Sequence, residues 1–302
     1  MEYLGYLAAL GAAASWACAG LLSVGPVRQL GPIPFNALRM LMVASLLTLW
    51  LTFTDHWSWP SRDSFGILML SGFVGIFLGD TLLFTAVKIL GPRMAGLLFA
   101  TNAPLTFIIG ILIFKETYTL LNLLGVLGVI GGVFIAISSR ANAGKHHWEQ
   151  SVGHVGLGLL AGFGAATCQS LGVVLIANLL TDGQDPVFAT MLRVWVAVIC
   201  LFLTLLLFPR FTGGFRPYRS LTPRLTGRLF LSGFMGMALG MSLYLTSVSL
   251  APMGIVTILS ATTPVILLPI AWLITAERPH NRSLYAAILV VMGAALIFTN
   301  GG

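Results

Sequence analysis

Apolar residues run along the chain in long continuous stretches, and proline, glycine or charge separates one stretch from the next. A helix needs about 20 apolar residues to cross a bilayer, whereas the strands of a membrane barrel alternate apolar and polar residues. The pattern therefore predicts an all-α integral membrane protein with ten transmembrane helices. The predicted ranges are 3–24, 34–54, 64–87, 93–114, 119–138, 154–179, 187–208, 226–250, 253–274 and 282–299.

Composition supports a membrane location. A water-soluble domain carries about 25% charged residues, whereas this chain carries 8% and is 57% hydrophobic. Lipid is therefore its solvent, and we expect a multi-pass protein of the cell (inner) membrane. The formal charge of +7 comes from residues scattered over short loops. Because no helix has a basic face, this charge predicts membrane topology and no nucleic-acid partner.

The chain contains one unit twice. Residues 70–75 (LSGFVG) return as residues 231–236 (LSGFMG). We assign residues 1–140 to a first five-helix repeat, 141–152 to a polar linker and 153–302 to a second five-helix repeat. Because five is odd, the second repeat enters the membrane from the opposite face, which predicts inverted repeats with a transport site between them. One chain supplies both halves, so a monomer is sufficient, and a dimer stays open.

The doubled five-helix unit resembles the drug/metabolite transporter superfamily, and in particular its EamA-type branch. The residues that carry the resemblance are Trp16 in helix one, Arg39 in helix two, and Pro104 followed by Lys115-Glu116. The resemblance implies a ten-helix transporter with a central cavity lined mainly by helices one, three, four, six, eight and nine. Members of this branch export amino acids and other small metabolites, and relatives carry nucleotide sugars or sugar phosphates.

The orientation of the chain stays open. Most lysines and arginines fall in loops on the side opposite the two termini, so the positive-inside rule places the termini outside. The family resemblance implies cytoplasmic termini instead.

Three ionisable residues lie inside predicted spans, where a charge is costly unless it is paired. Arg39 and Arg193 are repeat counterparts, and each either binds an anionic group of a substrate or bonds structurally near a helix end. Asp80 has Met241 as its counterpart, so symmetric packing does not require it. It is a candidate for proton coupling, for binding an amino group, or for a salt bridge between helices two and three. Arg39 and Asp80 lie at similar depth, which allows a buried pair.

Other candidates lie on helices that the resemblance places around the cavity. Trp16 and Gln169 are counterparts on helices one and six, and together they would form a wall suited to a zwitterionic or polar solute, although Trp16 also suits ordinary packing. Tyr244 on helix eight is a further polar group that could line the cavity. Glycines spaced four residues apart, such as Gly75 and Gly79, predict close helix packing.

Asn102, Thr262 and Thr263 surround the paired prolines Pro104 and Pro264. Each proline frees a backbone carbonyl one turn earlier, and these side chains either bond to that carbonyl or leave it to a substrate. We interpret the two prolines as kinks that serve gating, and the three polar residues as candidate ligands.

These features predict a secondary active transporter, and by resemblance an exporter, of a small polar metabolite such as an amino acid. It would work by alternating access, without a cofactor and with protons as a candidate coupling ion. A lipid-linked sugar flippase and a nucleotide-sugar or sugar-phosphate exchanger are the alternatives within the superfamily. An intramembrane enzyme is less favoured because no predicted span contains a histidine at its core and no catalytic dyad is present, and a channel or scaffold fits the deep ionisable residues less well.

Overall fold

The computed structural model describes residues 2–55, 57–102, 104–106, 108–109, 120–139, 153–251, 256, 259–260, 262–275 and 281–298, so the predicted linker lies outside the described residues. Within these ranges the regular structure is helical, without a strand. The helices of eight or more residues, in chain order, are α1 (Glu2–Leu30), α2 (Pro32–Thr54), α3 (Arg62–Leu90), α4 (Pro92–Phe99), α5 (Leu120–Ser139), α6 (Val155–Thr181), α7 (Pro186–Leu207), α8 (Pro223–Leu250), α9 (Thr263–Thr275) and α10 (Asn281–Phe298). Two short helices, Pro209–Thr212 and the 3₁₀ helix Arg216–Ser220, lie between α7 and α8.

In the part of the chain that the structure describes, six helices, α1 to α3 and α6 to α8, are long and apolar enough to cross a membrane. They bear out the predicted multi-pass, all-helical architecture. The largest difference in their boundaries is at α1, which continues to Leu30 although the prediction ended it at residue 24. Pro26 lies inside the helix and removes one backbone hydrogen bond, which is not enough to end it. The helix ends instead before Gly31, whose φ of 90° is a conformation that favours glycine.

α3 and α8 are interrupted at equivalent places. A π-helical segment, Gly72–Leu78, divides α3, and a second one, Phe234–Leu239, divides α8. Both segments fall on the repeated glycine motif. π-helical turns are rare and occur frequently at functional sites. The duplication therefore extends from the sequence to the local geometry of the backbone.

The counterpart helices α2 and α7 lie side by side and run in opposite directions. Beyond the end of α2, the Trp59 ring lies 5.3 Å from the ring of Phe188, which is at the start of α7. Beyond the end of α7, the Tyr218 hydroxyl donates to the carbonyl of Pro34, at the start of α2 (2.9 Å). Because the two equivalent helices are antiparallel, the repeats are inverted, as an odd number of helices per repeat predicts.

Each repeat also packs its third helix against the first helix of the other repeat. Ser71 Oγ of α3 donates to the carbonyl of Gly172 in α6 (2.5 Å), and Ser232 Oγ of α8 donates to the carbonyl of Ala19 in α1 (3.2 Å). Ser71 and Ser232 are repeat counterparts, and Ala19 and Gly172 correspond in the alignment that pairs Trp16 with Gln169. The interface between the repeats is thus built from two copies of one contact.

Glycines allow the close approach of these helices. A Cβ atom on Gly72 of α3 would lie 2.7 Å from the carbonyl oxygen of Arg193 in α7. A Cβ atom on Gly233 of α8 would lie 2.9 Å from Cγ of Arg39 in α2. α5 and α10 meet in the same manner, because a Cβ atom on Gly128 would lie 3.0 Å from Cα of Gly293. At glycines of the predicted seams, a Cβ atom on Gly75 would lie 3.3 Å from Cα of Gly172 in α6. A Cβ atom on Gly240 would lie 2.8 Å from Trp16 Nε1 in α1, so these small-residue packing seams are present as well.

We predict that Gly72→Ala lowers the thermal unfolding midpoint of the detergent-purified protein. The new methyl group would clash with the backbone of α7, which cannot rotate away, and overpacking of this kind costs about 1–3 kcal/mol. Gly66→Ala is the matched control in the same helix, since a Cβ atom at Gly66 meets nothing within 4 Å. Equal midpoints for the two variants would contradict the proposed close packing of α3 on α7.

Candidate functional site

A cavity of about 120 Å³ lies between the two repeats. Its walls come from α1, α3, α4, α6, α8 and the start of α9, together with one side chain from α2. These are the helices that the family resemblance implies, with α2 added. Predicted site residues that line the cavity are Trp16, Arg39, Asp80, Asn102, Gln169 and Thr263.

The charged groups on this wall form an ion pair. Arg39 Nη2 donates to Asp80 Oδ2, and the two side chains join α2 to α3. Arg39 is 3% exposed and Asp80 is 8% exposed, so the pair is largely shielded from solvent and its attraction is strong. The contact bears out the buried pair that their similar depth allowed.

Two aromatic rings hold the Arg39 guanidinium from the other side. Its Cζ lies 4.4 Å from the ring centroid of Phe84 and 5.8 Å from that of Phe35. A cation at this distance from an aromatic face is attracted by the quadrupole of the ring. Phe84 also lines the cavity. The charge is therefore fixed in one position by the carboxylate and the rings together.

Trp16 forms an apolar face of the cavity and is locked in place. Its Nε1 donates to the carbonyl of Gly236 in α8 (2.8 Å), and its ring centroid lies 5.2 Å from that of Tyr244. A Cβ atom on Gly240 would lie 2.8 Å from the same Nε1. Because its one hydrogen-bond donor is used within the protein, Trp16 offers a substrate its ring face and no polar atom.

The cavity also contains polar groups without a partner among the described residues. Gln169 and Asn102 both line the cavity, and neither side-chain amide has a hydrogen-bond partner among the described residues. The backbone carbonyl of Asn102 accepts a bond from Ser170 Oγ (3.0 Å), which ties this position to α6. Each amide has two N–H donors and a carbonyl acceptor, so the pair can bind either sign of a polar solute.

Helices are broken beside the cavity in both repeats. α4 ends at Phe99, and Ala100 and Thr101 form a turn before the chain becomes helical again. In the second repeat, Thr262 forms a turn before α9 begins at Thr263. Discontinuous helices expose backbone N–H and C=O groups at mid-membrane depth, and transporters use such groups in their substrate sites.

A threonine hydroxyl satisfies a backbone carbonyl at the break before α9. Pro264 lies in the first turn of α9, where its missing N–H costs no helix hydrogen bond, so it is the break itself that leaves the carbonyl of Ser260 to a side-chain donor. Thr263 Oγ1 donates to that carbonyl (2.7 Å). The sequence predicted such a bond, but for a carbonyl freed by the proline. Both Thr263 and Ser260 line the cavity, so a substrate reaching them would compete for this bond.

Three other predicted residues, Thr262, Tyr244 and Pro104, lie off the cavity wall. Thr262 Oγ1 donates to the carbonyl of Leu259 (2.6 Å) and has a structural role. Tyr244 is 5% exposed and lies behind Trp16. Pro104 is buried. The backbone at Pro264 is helical, and its side chain lies outside the described residues.

Sequence reasoning missed Phe84 and Ser260, which both line the cavity. Phe84 follows Asp80 by four residues in α3, and residues at this spacing share a helix face. That spacing could have identified Phe84 as a cavity residue. No sequence pattern could have identified Ser260, because its role depends on the break that precedes α9. Within the described ranges, no group of His, Cys, Asp and Glu side chains could hold a metal ion.

The model of the EamA-like transporter family matches this chain twice, over residues 3–138 and over residues 156–299. The chain belongs to the EamA-like transporter family. The fold of this EamA-like protein also recurs among solved structures, of which 26 chains match. One of them, described as the crystal structure of a protein, superposes with a TM-score of 0.68 at 17% identity, over 97% of this chain and 95% of the other. Comparison with curated proteins gives no match.

We predict that charge removal at either member of the Arg39–Asp80 pair destabilises this EamA-like protein strongly and that joint removal is milder. Breaking a buried pair leaves one charge uncompensated, at a cost of about 3–5 kcal/mol. The thermal midpoints of Asp80→Asn, Arg39→Gln and the double variant form a double-mutant cycle. Asp63→Asn, at an exposed carboxylate in the first turn of α3, is the control. Additive losses in the double variant would be the contrary result.

Proposed function

We propose that this protein is a secondary active transporter that exports a small polar organic solute, such as an amino acid or a related compound. The observation that carries the proposal is the composition of the cavity between the inverted repeats. An ion pair, two amides without a partner in the described protein, and an aromatic wall surround it. A site with an apolar body and a few fixed polar groups is typical of small-molecule recognition.

The size of the cavity favours a small solute over the larger alternatives. Its volume of about 120 Å³ lies below the range of roughly 300–1,000 Å³ for pockets that hold drug-sized ligands. A nucleotide sugar or a lipid-linked sugar would need more space. Export is the direction that the resemblance to the EamA-type branch favours.

The proposed mechanism is alternating access. The repeats meet through paired copies of one contact, Ser71 with Gly172 and Ser232 with Ala19. Glycine seams between them allow sliding at close range. If the two repeats exchange conformations, the cavity opens to the opposite side of the membrane without a new set of contacts. The sequence contains no P-loop motif for ATP, so we propose that an ion gradient or a solute gradient supplies the energy.

Asp80 is the residue that we propose for proton coupling. It lines the cavity, and the charged groups that face it are the guanidinium of Arg39 and, more distantly, that of Arg193. Protonation of Asp80 would release Arg39 from its ion pair. A substrate group could then occupy the place that the carboxylate leaves, which links proton binding to substrate binding.

We predict that a member of a panel of small solutes raises the thermal midpoint of the detergent-purified protein in a saturable way. The panel contains amino acids, small amines, nucleosides, sugar phosphates and nucleotide sugars. A ligand at 100 times its dissociation constant stabilises the folded state by about 2.7 kcal/mol. A hit among small polar solutes supports the proposed function. Stabilisation only by nucleotide sugars or by lipid-linked sugars would contradict it in favour of those alternatives.

We predict that Asp80→Asn retains exchange of labelled substrate in proteoliposomes and loses accumulation driven by a pH gradient. The amide preserves the shape of the side chain and cannot release a proton. Both assays are run below the thermal midpoint of the variant, with Asp63→Asn as the control of matched chemistry. If accumulation survives in Asp80→Asn at the rate of the control, Asp80 has a structural role only.

A further inference from the structure

The second repeat contains an arginine, Arg193, whose packing environment is equivalent to that of Arg39. Arg193 of α7 corresponds to Arg39 of α2, and its residue is 0% exposed. A Cβ atom on Gly75 would lie 3.1 Å from Arg193 Nη2, and one on Gly236 would lie 3.2 Å from Arg39 Nη1. Each guanidinium thus lies over the second glycine of the motif in the opposite repeat. The packing of the two arginines is equivalent.

Their electrostatic surroundings differ, because the counterpart of Asp80 is Met241. Arg193 Nη1 lies 3.9 Å from Met241 Sδ, and a thioether sulfur is only a weak acceptor. Arg193 Nε and Nη2 are buried and have no hydrogen-bond partner in the described part of the protein. Asp80 and Tyr244 are near enough to interact with Arg193 electrostatically, but the Asp80 carboxylate is already paired with Arg39.

The buried charges therefore do not balance. Among the described residues, the buried charged side chains are Arg39, Asp80 and Arg193, so one positive charge remains without a counter-charge. An uncompensated charge inside a membrane protein is expensive, and such residues face functional pathways far more often than packing seams. Tyr244 carries a neutral hydroxyl at ordinary pH and does not supply the missing charge.

Met241 lies between this charge and the cavity. It lines the cavity wall and contacts the Arg193 guanidinium. Methionine has an unbranched side chain with three rotatable bonds, so it can change rotamer at small cost. A change of that kind would expose Nη1 of Arg193 to a solute in the cavity. The Met241 side chain thus separates Arg193 from the cavity.

We propose that Arg193 binds an oxyanion of the substrate, a carboxylate or a phosphate, behind a gate formed by Met241. The proposal deepens the proposed function, on which it rests, by adding the chemical class of the substrate. A guanidinium binds either group through two parallel hydrogen bonds. The pair available behind Met241 is Nη1, which contacts only the weakly accepting sulfur, and Nη2, which has no partner in the described part of the protein. One bound anionic group neutralises the excess charge. A cationic or neutral substrate would leave that charge uncompensated.

We predict that Met241→Asp raises the thermal midpoint above that of Met241→Asn. The new carboxylate would pair with Arg193 as Asp80 pairs with Arg39, whereas the amide has the same shape without the charge. Adding Arg193→Met to each variant should remove the difference, which assigns it to this pair. This comparison needs no knowledge of the substrate. A midpoint for Met241→Asp at or below that of Met241→Asn overturns the proposal.

Binding is tested with solutes that differ in one group. Lactate with lactamide tests for a carboxylate, and glycerol 3-phosphate with glycerol tests for a phosphate. We expect the anionic member of one pair to stabilise the wild-type protein and the neutral member to have no effect. In Met241→Asp the internal carboxylate competes, and the apparent affinity should fall by more than about tenfold. In Met241→Asn it should change less.

Failure of this inference and failure of the proposed function give different results. If neutral or cationic solutes bind and are transported while oxyanions are not, the transporter assignment stands and the oxyanion site is overturned. If Met241→Asp is stabilised but neither anionic probe binds, Arg193 is a structural charge and the site is again overturned. If no solute of any class is bound or transported, the proposed function itself fails.

Discussion

The close approach of α2 and α7 to the glycines of the opposite repeat determines how the two halves of this protein fit together. No side chain larger than hydrogen fits at Gly72, where a Cβ atom would lie 2.7 Å from the Arg193 carbonyl oxygen. The same holds at Gly233 against Arg39. Both guanidinium groups are buried where these helices meet, and Arg39 also lies on the cavity wall. Backbone packing thus determines where one charged group of the site lies.

Packing and the buried arginines are repeated in this molecule, whereas the buried negative charge is not. The serine bonds, the glycine contacts and the π-helical segments all occur in both halves. Among the described residues, the buried acid Asp80 occurs in one half only, and Met241 occupies its place in the other. The contacts between the repeats are present in both halves, because the same contact forms twice at the interface and both copies must fit. Side chains that meet a solute are free of this requirement, so departures from symmetry mark the chemistry of the site.

Much of this architecture could be predicted from the sequence, because lipid allows few ways of burying a backbone. The apolar runs located the long helices, the repeated glycines located the seams, and the matching depths of Arg39 and Asp80 anticipated their contact. The alignment of the halves paired Trp16 with Gln169, and the resemblance to the EamA-type branch placed their helices at the cavity. The turns at Thr101 and Thr262 did not follow, because tertiary contacts decide where a proline-containing helix breaks. Neither did the proximity of Met241 to Arg193, which depends on how two separate helices cross.

The π-helical segments give α3 and α8 a property that the straight helices lack. Each residue advances an α-helix by about 100° around its axis, and a π-helical turn contains one residue more than an α turn. The residues after Leu78 are therefore rotated about the helix axis relative to those before Gly72. As a result, the part of α3 before the π segment packs on the other repeat, and the part after it lines the cavity. Movement of the π turn along the helix would rotate one part against the other while most backbone hydrogen bonds stay formed. The position of the extra residue thus sets the rotation between the two parts of the helix, and in α3 the part after the π segment contains Asp80.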